Sequence, residues 1–333
     1  VDAQLVPLTP FTANGMVIDI NGSPVPNADI LIYNNDFNYT LVSDNNGGFT
    51  INSMFEGSYE VIAGQWGYVT VCDNEYIDGS SNVIITLDEG YYDDFTFDFG
   101  WNISGGITMS DPGRWERGNP EGTSFQGSNY NPNNDINSDC FDYAYVTGLD
   151  AGSQVGSNDV DDYNTILTSP LFDLSQPLSN NQTYHLSYYS WFSNGGGGWG
   201  GGSPPNDSLK ISITNANNTT VVLETMTESS PDMGQWNFRT YEISQYIPLT
   251  SDMQLKVETA DWDAFGGHWV EGGFDKFQIT TTIPTNFNQV INSNKTIVKI
   301  VDLLGRDIKQ TKYNVPIFLI YNDGSVEKRI IIE

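Results

Sequence analysis

The chain has 333 residues, and its 13 Lys plus Arg against 42 Asp plus Glu give a formal net charge of −29. At roughly 100–200 residues per domain, this length implies two or three domains, and an aromatic content of 13% argues against a disordered chain. The charge argues against phosphate backbones and anionic lipid as partners, and no apolar run of about 18 residues exists to cross a membrane. Surplus carboxylates and Asn side chains instead suit divalent cations, Ca2+ above all. The charge is uneven: no Lys or Arg precedes Arg114, and seven of the 13 lie between Lys295 and Arg329.

Short β-branched and aromatic runs between Gly, Asn, Asp and Pro clusters dominate, and amphipathic helix patterns are nearly absent. The chain therefore reads as all-β. It opens at Val1 without a signal peptide, as a mature form, a fragment or an excised piece would. The first strands expected are 15–20, 28–33, 39–43, 49–51, 57–63 and 83–87. Asn21-Gly22-Ser23-Pro24 and Asp44-Asn45-Asn46-Gly47 form turns between them, with glycine supplying positive φ. The second set opens with Asp93-Asp94-Phe95 and continues through 145–148, 164–170, 184–192, 208–213, 221–224, 237–243, 253–258 and 273–279. That many strands in about 190 residues suggests a two-sheet jelly roll. The last strands are expected after Lys295.

Residues 15–30, with Gly15, Val17, Asp19, Gly22, Pro24, Val25, Ala28 and Ile30, resemble the carboxypeptidase regulatory-like domain. Ser43-Asp44, Gly47, Phe49 and Glu56-Gly57 fit the same pattern. The resemblance implies a transthyretin- or Ig-like sandwich over 11–90 that is a non-catalytic companion, often to a zinc carboxypeptidase. Phe97-Asp98-Phe99-Gly100-Trp101, Trp115-Glu116-Arg117-Gly118, Leu167-Thr168-Ser169-Pro170 and Val270–Phe277 resemble the MAM-like, concanavalin-type jelly rolls of secreted Bacteroidetes peptidases, over 91–282. After a linker at 283–294, residues 295–333 resemble the type IX secretion C-terminal sorting domain. Its matching features are Gly305-Arg306, the Asp323-Gly324 hairpin and Glu327-Lys328 in the final strand. That resemblance implies export to the outside of the cell or the outer-membrane surface. The implied partners are the type IX translocon and its cargo-shuttle protein. In that family the tail is normally removed after export.

Asn158-Asp159-Val160-Asp161-Asp162 packs three carboxylates and an amide into five residues. In an extended segment Asp159 and Asp161 project to one side, half of the oxygen shell that Ca2+ requires. Such jelly rolls often hold a structural Ca2+ near such loops, and Glu271 and Asp275 are the further ligand candidates. The runs at 44–47 and 131–139 read as turn and solvated loop. His268-Trp269-Val270-Glu271 has the first spacing of a zinc carboxypeptidase motif, but no histidine follows it. His185 and His268 alone cannot build the site, so no zinc and no catalysis are expected. Cys72 and Cys140 can pair or stand as buried thiols. Most Trp residues are expected to fill the core. Trp199, in the Gly-rich tract 195–205, is the exception and a candidate ligand contact. The leading expectation is the accessory and targeting region of a secreted peptidase, possessing protein or glycan contacts. The alternative is a surface adhesin or carbohydrate-binding protein with the same tail.

Overall fold

The computed structural model describes residues 8–106, 112–150, 155–161, 163–178, 182–196, 204–230, 233–262 and 267–282, and in the tail 297–301, 306, 316–321 and 326–330. Regular structure among them is β-strand, apart from one 3-10 turn at Ile243–Gln245. Residues 1–283 form one compact unit and 284–333 another. The expected linker at 283–294 lies outside the described residues.

The first seven strands are β1 (Phe11–Asp19), β2 (Asp29–Tyr33), β3 (Asn38–Val42), β4 (Gly48–Met54), β5 (Gly57–Gly64), β6 (Val71–Ile77) and β7 (Val83–Leu87). They form two sheets, ordered β4-β1-β7 and β3-β2-β5-β6. β7 shows why: Val83, Ile85 and Leu87 are buried while Ile84 and Thr86 face out, the period-2 pattern of a half-covered strand. Val17, Ile30, Ile32, Met54, Tyr59 and Leu87 meet between the sheets. The Asp44 turn is structural. Its Oδ1 accepts the Asn46 and Gly48 amides at 2.7 and 2.8 Å. Gly47 sits at φ 74°, where a Cβ would lie 2.4 Å from the Val17 carbonyl.

The next thirteen are β8 (Tyr91–Asp93), β9 (Asn102–Gly105), β10 (Trp115–Gly118), β11 (Ser124–Phe125), β12 (Ser128–Asn129), β13 (Ala144–Thr147), β14 (Tyr163–Thr168), β15 (Thr183–Gly196), β16 (Ser208–Thr214), β17 (Thr220–Thr227), β18 (Asn237–Glu242), β19 (Gln254–Asp261) and β20 (His268–Thr282). One sheet runs β10-β13-β20-β15-β18 with β8 beside β20, and the facing sheet runs β17-β16-β19-β14-β9. Their inner faces close on Trp115, Tyr188, Phe192, Leu209, Val257 and Phe274. β20 is longer than the sequence pattern suggests, pairing with β15 from His268 to Thr282; within it Gly273 lets Trp191 lie close, since a Cβ there would stand 1.9 Å from the Trp191 indole nitrogen.

β6 was absent from the sequence-derived strands because Cys72-Asp73-Asn74-Glu75 has no apolar alternation. It forms as the partner of β5, pairing Cys72 with Ile62 and Val71 with Ala63. The two sandwiches share a seam. Leu31 and Ile62, on the outer face of the first, are covered by Phe97, with Phe99, Tyr33 and Phe141 around them. Trp66 enters the second core, and Cys72 is disulfide-bonded to Cys140 with their Cα atoms 5.7 Å apart.

In the tail, β21 (Ile297–Val301), β22 (Pro316–Tyr321) and β23 (Val326–Ile330) make an antiparallel meander. Arg306 is exposed, and Glu327 and Lys328 lie opposite Leu319 and Phe318 in the register. Gly305, Asp323 and Gly324 lie outside the described residues.

Candidate functional site

Strands β14, β16 and β20 begin at the rim where the antiparallel β19 ends. In β19 the residues Leu255, Val257, Thr259 and Asp261 point inward. The alternation that buries three core residues thus also buries the Asp261 carboxylate. Asp261 is matched by His268, whose backbone amide donates to Asp261 Oδ2 at 2.8 Å. The His268 ring is 1% exposed, with Nδ1 at 2.5 Å from Asp207 Oδ2 and 3.9 Å from Asp261 Oδ1. Donor atoms of Asp207, Asp261 and His268 lie within 4.8 Å of one another. A ring nitrogen already bonded to a carboxylate makes this a poor shell for Ca2+, which takes oxygen.

The expected ligand set does not gather into one shell. Asp159 is buried, and its Oδ2 accepts the Val270 amide at 3.3 Å. Asp161 is exposed instead, flanking Gly267. Asn158 turns its amide to the Asp150 carbonyl. Asp162 lies outside the described residues, as does Trp199. Glu271 is buried beside Asp159, with Oε2 lacking a hydrogen-bond partner. Burial first, then the Asp159 charge, pushes the Glu271 carboxyl up to about 8. Burial, then the Asp161 charge, pushes Asp159 up to about 7. Asp275 faces other carboxylates, Asp135 and Asp139.

Above the Asp207–His268–Asp261 group opens a cleft of about 340 Å³, lined by Asn164, Asn206, Asp207, Lys210, Glu258 and Trp262. Trp101, Trp115 and Trp191 fill cores as expected, but Trp262 is 67% exposed. Sequence reasoning grouped Trp262 with the core tryptophans. Its place directly after the last inward residue of β19 was the available signal. Lys210 lies opposite Glu258 across β16 and β19, and Glu258 also pairs with Lys256 at 2.9 Å. A wider groove of about 700 Å³ follows the seam, with Tyr68, Tyr91 and Tyr184 near Asp88, Glu89 and Asp173.

Residues 12–88 match the carboxypeptidase regulatory-like domain. No curated protein matches the chain. Among solved structures, a carbohydrate-binding module from the β-sandwich superfamily is similar at 9% identity and a TM-score of 0.31, covering 82% of this chain and 97% of its own. SGBP-B from a xyloglucan utilization locus of Bacteroides uniformis is similar at 12% identity and 0.30, over 83% and 70%. A DUF3823 family protein from Bacteroides ovatus is similar at 9% identity and 0.21, over 83% and 98%. Likeness at these identities and scores carries nothing about ligand. Among the described residues no helix is long and apolar enough to cross a membrane.

Proposed function

We propose that this chain is a non-catalytic accessory and recognition region of a secreted cell-surface protein, and that its jelly roll takes saccharide in the Trp262 cleft. Trp262 carries the reading. An indole 67% exposed beside a polar cleft has given up the burial that large aromatics usually gain. A pyranose offers an apolar C–H face and a belt of hydroxyls. The indole suits the face, and Asn164, Asn206, Lys210 and Glu258 suit the hydroxyls. The imidazole at the rim is 1% exposed, out of reach of a substrate, which supports the non-catalytic part.

The match at 12–88 supports a peptidase of the zinc carboxypeptidase type as the parent. The basic residues of the tail and its three-stranded meander support delivery by the type IX system. A stand-alone adhesin with the same tail is the second reading, and it keeps the cleft. The two part on whether the reading frame extends upstream into a His-x-x-Glu…His domain.

The test is a glycan array probed with the full chain, each hit being quantified by calorimetry. Trp262→Ala is expected to weaken the hit at least tenfold without moving the melting temperature. No saccharide bound, or equal binding by Trp262→Ala, overturns the reading.

A further inference from the structure

The groove of about 700 Å³ along the seam draws its lining from both sandwiches. Tyr68 and Val69 come from the turn between β5 and β6, and Asp88 and Glu89 from the link between β7 and β8. The jelly roll adds Asp173 and Gln176 ahead of β15, Tyr184 of β15, and Gln278 and Thr280 of β20. These pieces are tied to one another. The Val69 amide donates to the Asp88 carbonyl at 2.8 Å and the Gly90 amide to the Gly67 carbonyl at 3.0 Å. The Asp173 amide donates to the Tyr91 hydroxyl at 2.9 Å, and Trp66, beside Gly67, is anchored on the Leu171 carbonyl at 2.7 Å. The groove is therefore formed before a ligand arrives, and little ordering is left for binding to impose.

Its chemistry is one-sided. Three carboxylates line the groove, and among the described residues no Lys or Arg does. The first sandwich has none to offer, since no Lys or Arg precedes Arg114. Other acidic places in the molecule have a cation at hand: Lys210 lines the Trp262 cleft, Arg239 pairs with Glu224, and Lys276 acts on Asp139. Asp88 and Glu89 are exposed. Hydrogen bonds from the side chain and then the amide of Ser175 hold the Asp173 carboxyl below its ordinary value, so it is charged at neutral pH. The three do not gather their oxygens within 4.8 Å, as a single bound ion would require; they are spread along the groove. Tyr68, Tyr91 and Tyr184 are half-buried in the same lining, and a tyrosine face attracts a guanidinium or ammonium group. Gln176, Gln278 and Thr280 add amide and hydroxyl groups that match peptide N–H and C=O.

We propose that the seam groove docks an extended, Lys- and Arg-containing segment of a partner protein. Charge complementarity selects the occupant. A neutral saccharide gains nothing from an acidic field, whereas a basic segment is steered by it and by the net charge of −29 behind it. Volume points the same way: at about twice the 340 Å³ of the Trp262 cleft, the groove takes several side chains and not a lone amine. One exposed ion pair contributes little, but successive basic residues meeting separate carboxylates on a preformed wall act together. The groove shares no lining residue with the Trp262 cleft, so the two sites are independent.

The experiment titrates the full oxidised chain into a fluorescein-labelled, end-blocked peptide of Arg-Gly repeats and follows anisotropy at low and high NaCl. Saturable one-to-one binding is expected, weakening severalfold as salt rises. Glu-Gly and Gln-Gly repeats of the same length should not bind. Asp88→Asn/Glu89→Gln should weaken binding about tenfold without moving the melting temperature, and Asp173→Asn alone severalfold. Asp36→Asn/Glu228→Gln removes two exposed charges elsewhere and should leave affinity unchanged, as should Trp262→Ala. The proposal fails if the unaltered chain does not bind the Arg-Gly peptide, or if the Gln-Gly peptide binds equally. It also fails if both double variants lose the same affinity, which assigns binding to overall charge, or if neither Asp88→Asn/Glu89→Gln nor Asp173→Asn loses any. Displacement of the peptide by a neutral oligosaccharide in the Trp262→Ala chain would give the groove to sugar and overturn it as well.

Discussion

Trp66→Ala tests whether the two sandwiches are one cooperative body. Trp66 sits in the turn between β5 and β6, yet packs against the jelly-roll core. Its ring stacks on Phe277 at 5.6 Å, lies 5.3 Å from Tyr91 and meets Trp101 edge-on at 6.4 Å. Its indole N–H donates to the Leu171 carbonyl at 2.7 Å. A core Trp→Ala change costs about 3–5 kcal/mol. Trp66 is half-buried, which lowers that figure, while the lost aromatic pairs at about 0.5–1.5 kcal/mol each raise it again. The lost hydrogen bond adds about 1 kcal/mol. About 3 kcal/mol is therefore expected. Urea unfolding followed by tryptophan fluorescence and by far-UV circular dichroism reads it. The unaltered chain should lose 8–282 in one transition, and Trp66→Ala should shift the midpoint down or split it in two. A change below about 0.5 kcal/mol, the size of a surface substitution, would show that the seam carries no coupling and that the first sandwich merely hangs on the second.

Glu271→Gln should change stability with pH. The folded carboxyl titrates at about 8 against an ordinary value of 4.5. Between those values the folded state keeps a proton that the unfolded state releases. Stability from this group is thus complete below about pH 4.5 and lost as pH rises to about 8, at roughly 1.4 kcal/mol per pH unit. In EDTA the variant should gain stability at pH 8 and nothing at pH 4; equal effects at both refute the reasoning. Opening the 68-residue separation between Cys72 and Cys140 by Cys72→Ala/Cys140→Ala should cost up to about 4 kcal/mol by chain entropy, measured by urea unfolding under oxidising conditions. Removing residues 295–333 should leave the melting of residues 1–282 unchanged, because the tail is a separate compact unit, and should abolish appearance of the protein outside the cell.

The strands were legible because each needs only local alternation and turn chemistry, as Val83–Leu87 and the Asp44 turn show. The site was less so. Asp135 and Asp139 read as a solvated run, and local composition could say nothing else. Their burial depends on Trp236, Lys276 and Cys72, which tie to Asn134, Ser138 and Cys140 across 68 to 138 residues of chain. The bulge beside Asp275, with Lys276 at φ 52°, is equally hidden, since Lys276 carries no glycine or asparagine signal for positive φ. The Asp207–His268 pair joins positions 61 apart. Two cysteines in separate modules left pairing open until the seam brought β6 against residue 140.

Acidity explains why these ties converge on one segment. A chain with a net charge of −29 gains nothing by burying carboxylates, and each buried one works against folding. Segment 119–143 buries Asp135 all the same, fixed by an indole, an ammonium group and a disulfide. Of the three only the Lys276 ammonium offsets any of the repulsion, at Asp139; the others hold the geometry against it. Local conflicts of this kind collect at functional positions in proteins that are otherwise consistent. The rim at Asp207–His268–Asp261 is satisfied internally, because the His268 ring bonds to Asp207 and its backbone amide to Asp261. At Asp135–Asp139–Asp275 the nearest ammonium belongs to Lys276, and it is directed to Ser138. The two acidic centres therefore differ in what holds them: hydrogen bonds from His268 itself at the rim, and ties from Trp236, Lys276 and Cys72 to neighbouring positions at the segment. His268→Ala should loosen the rim and leave the segment as it is, a difference that amide hydrogen exchange reads at Val270, whose amide bonds to Asp159, and at Ile136, whose amide bonds to Asp275.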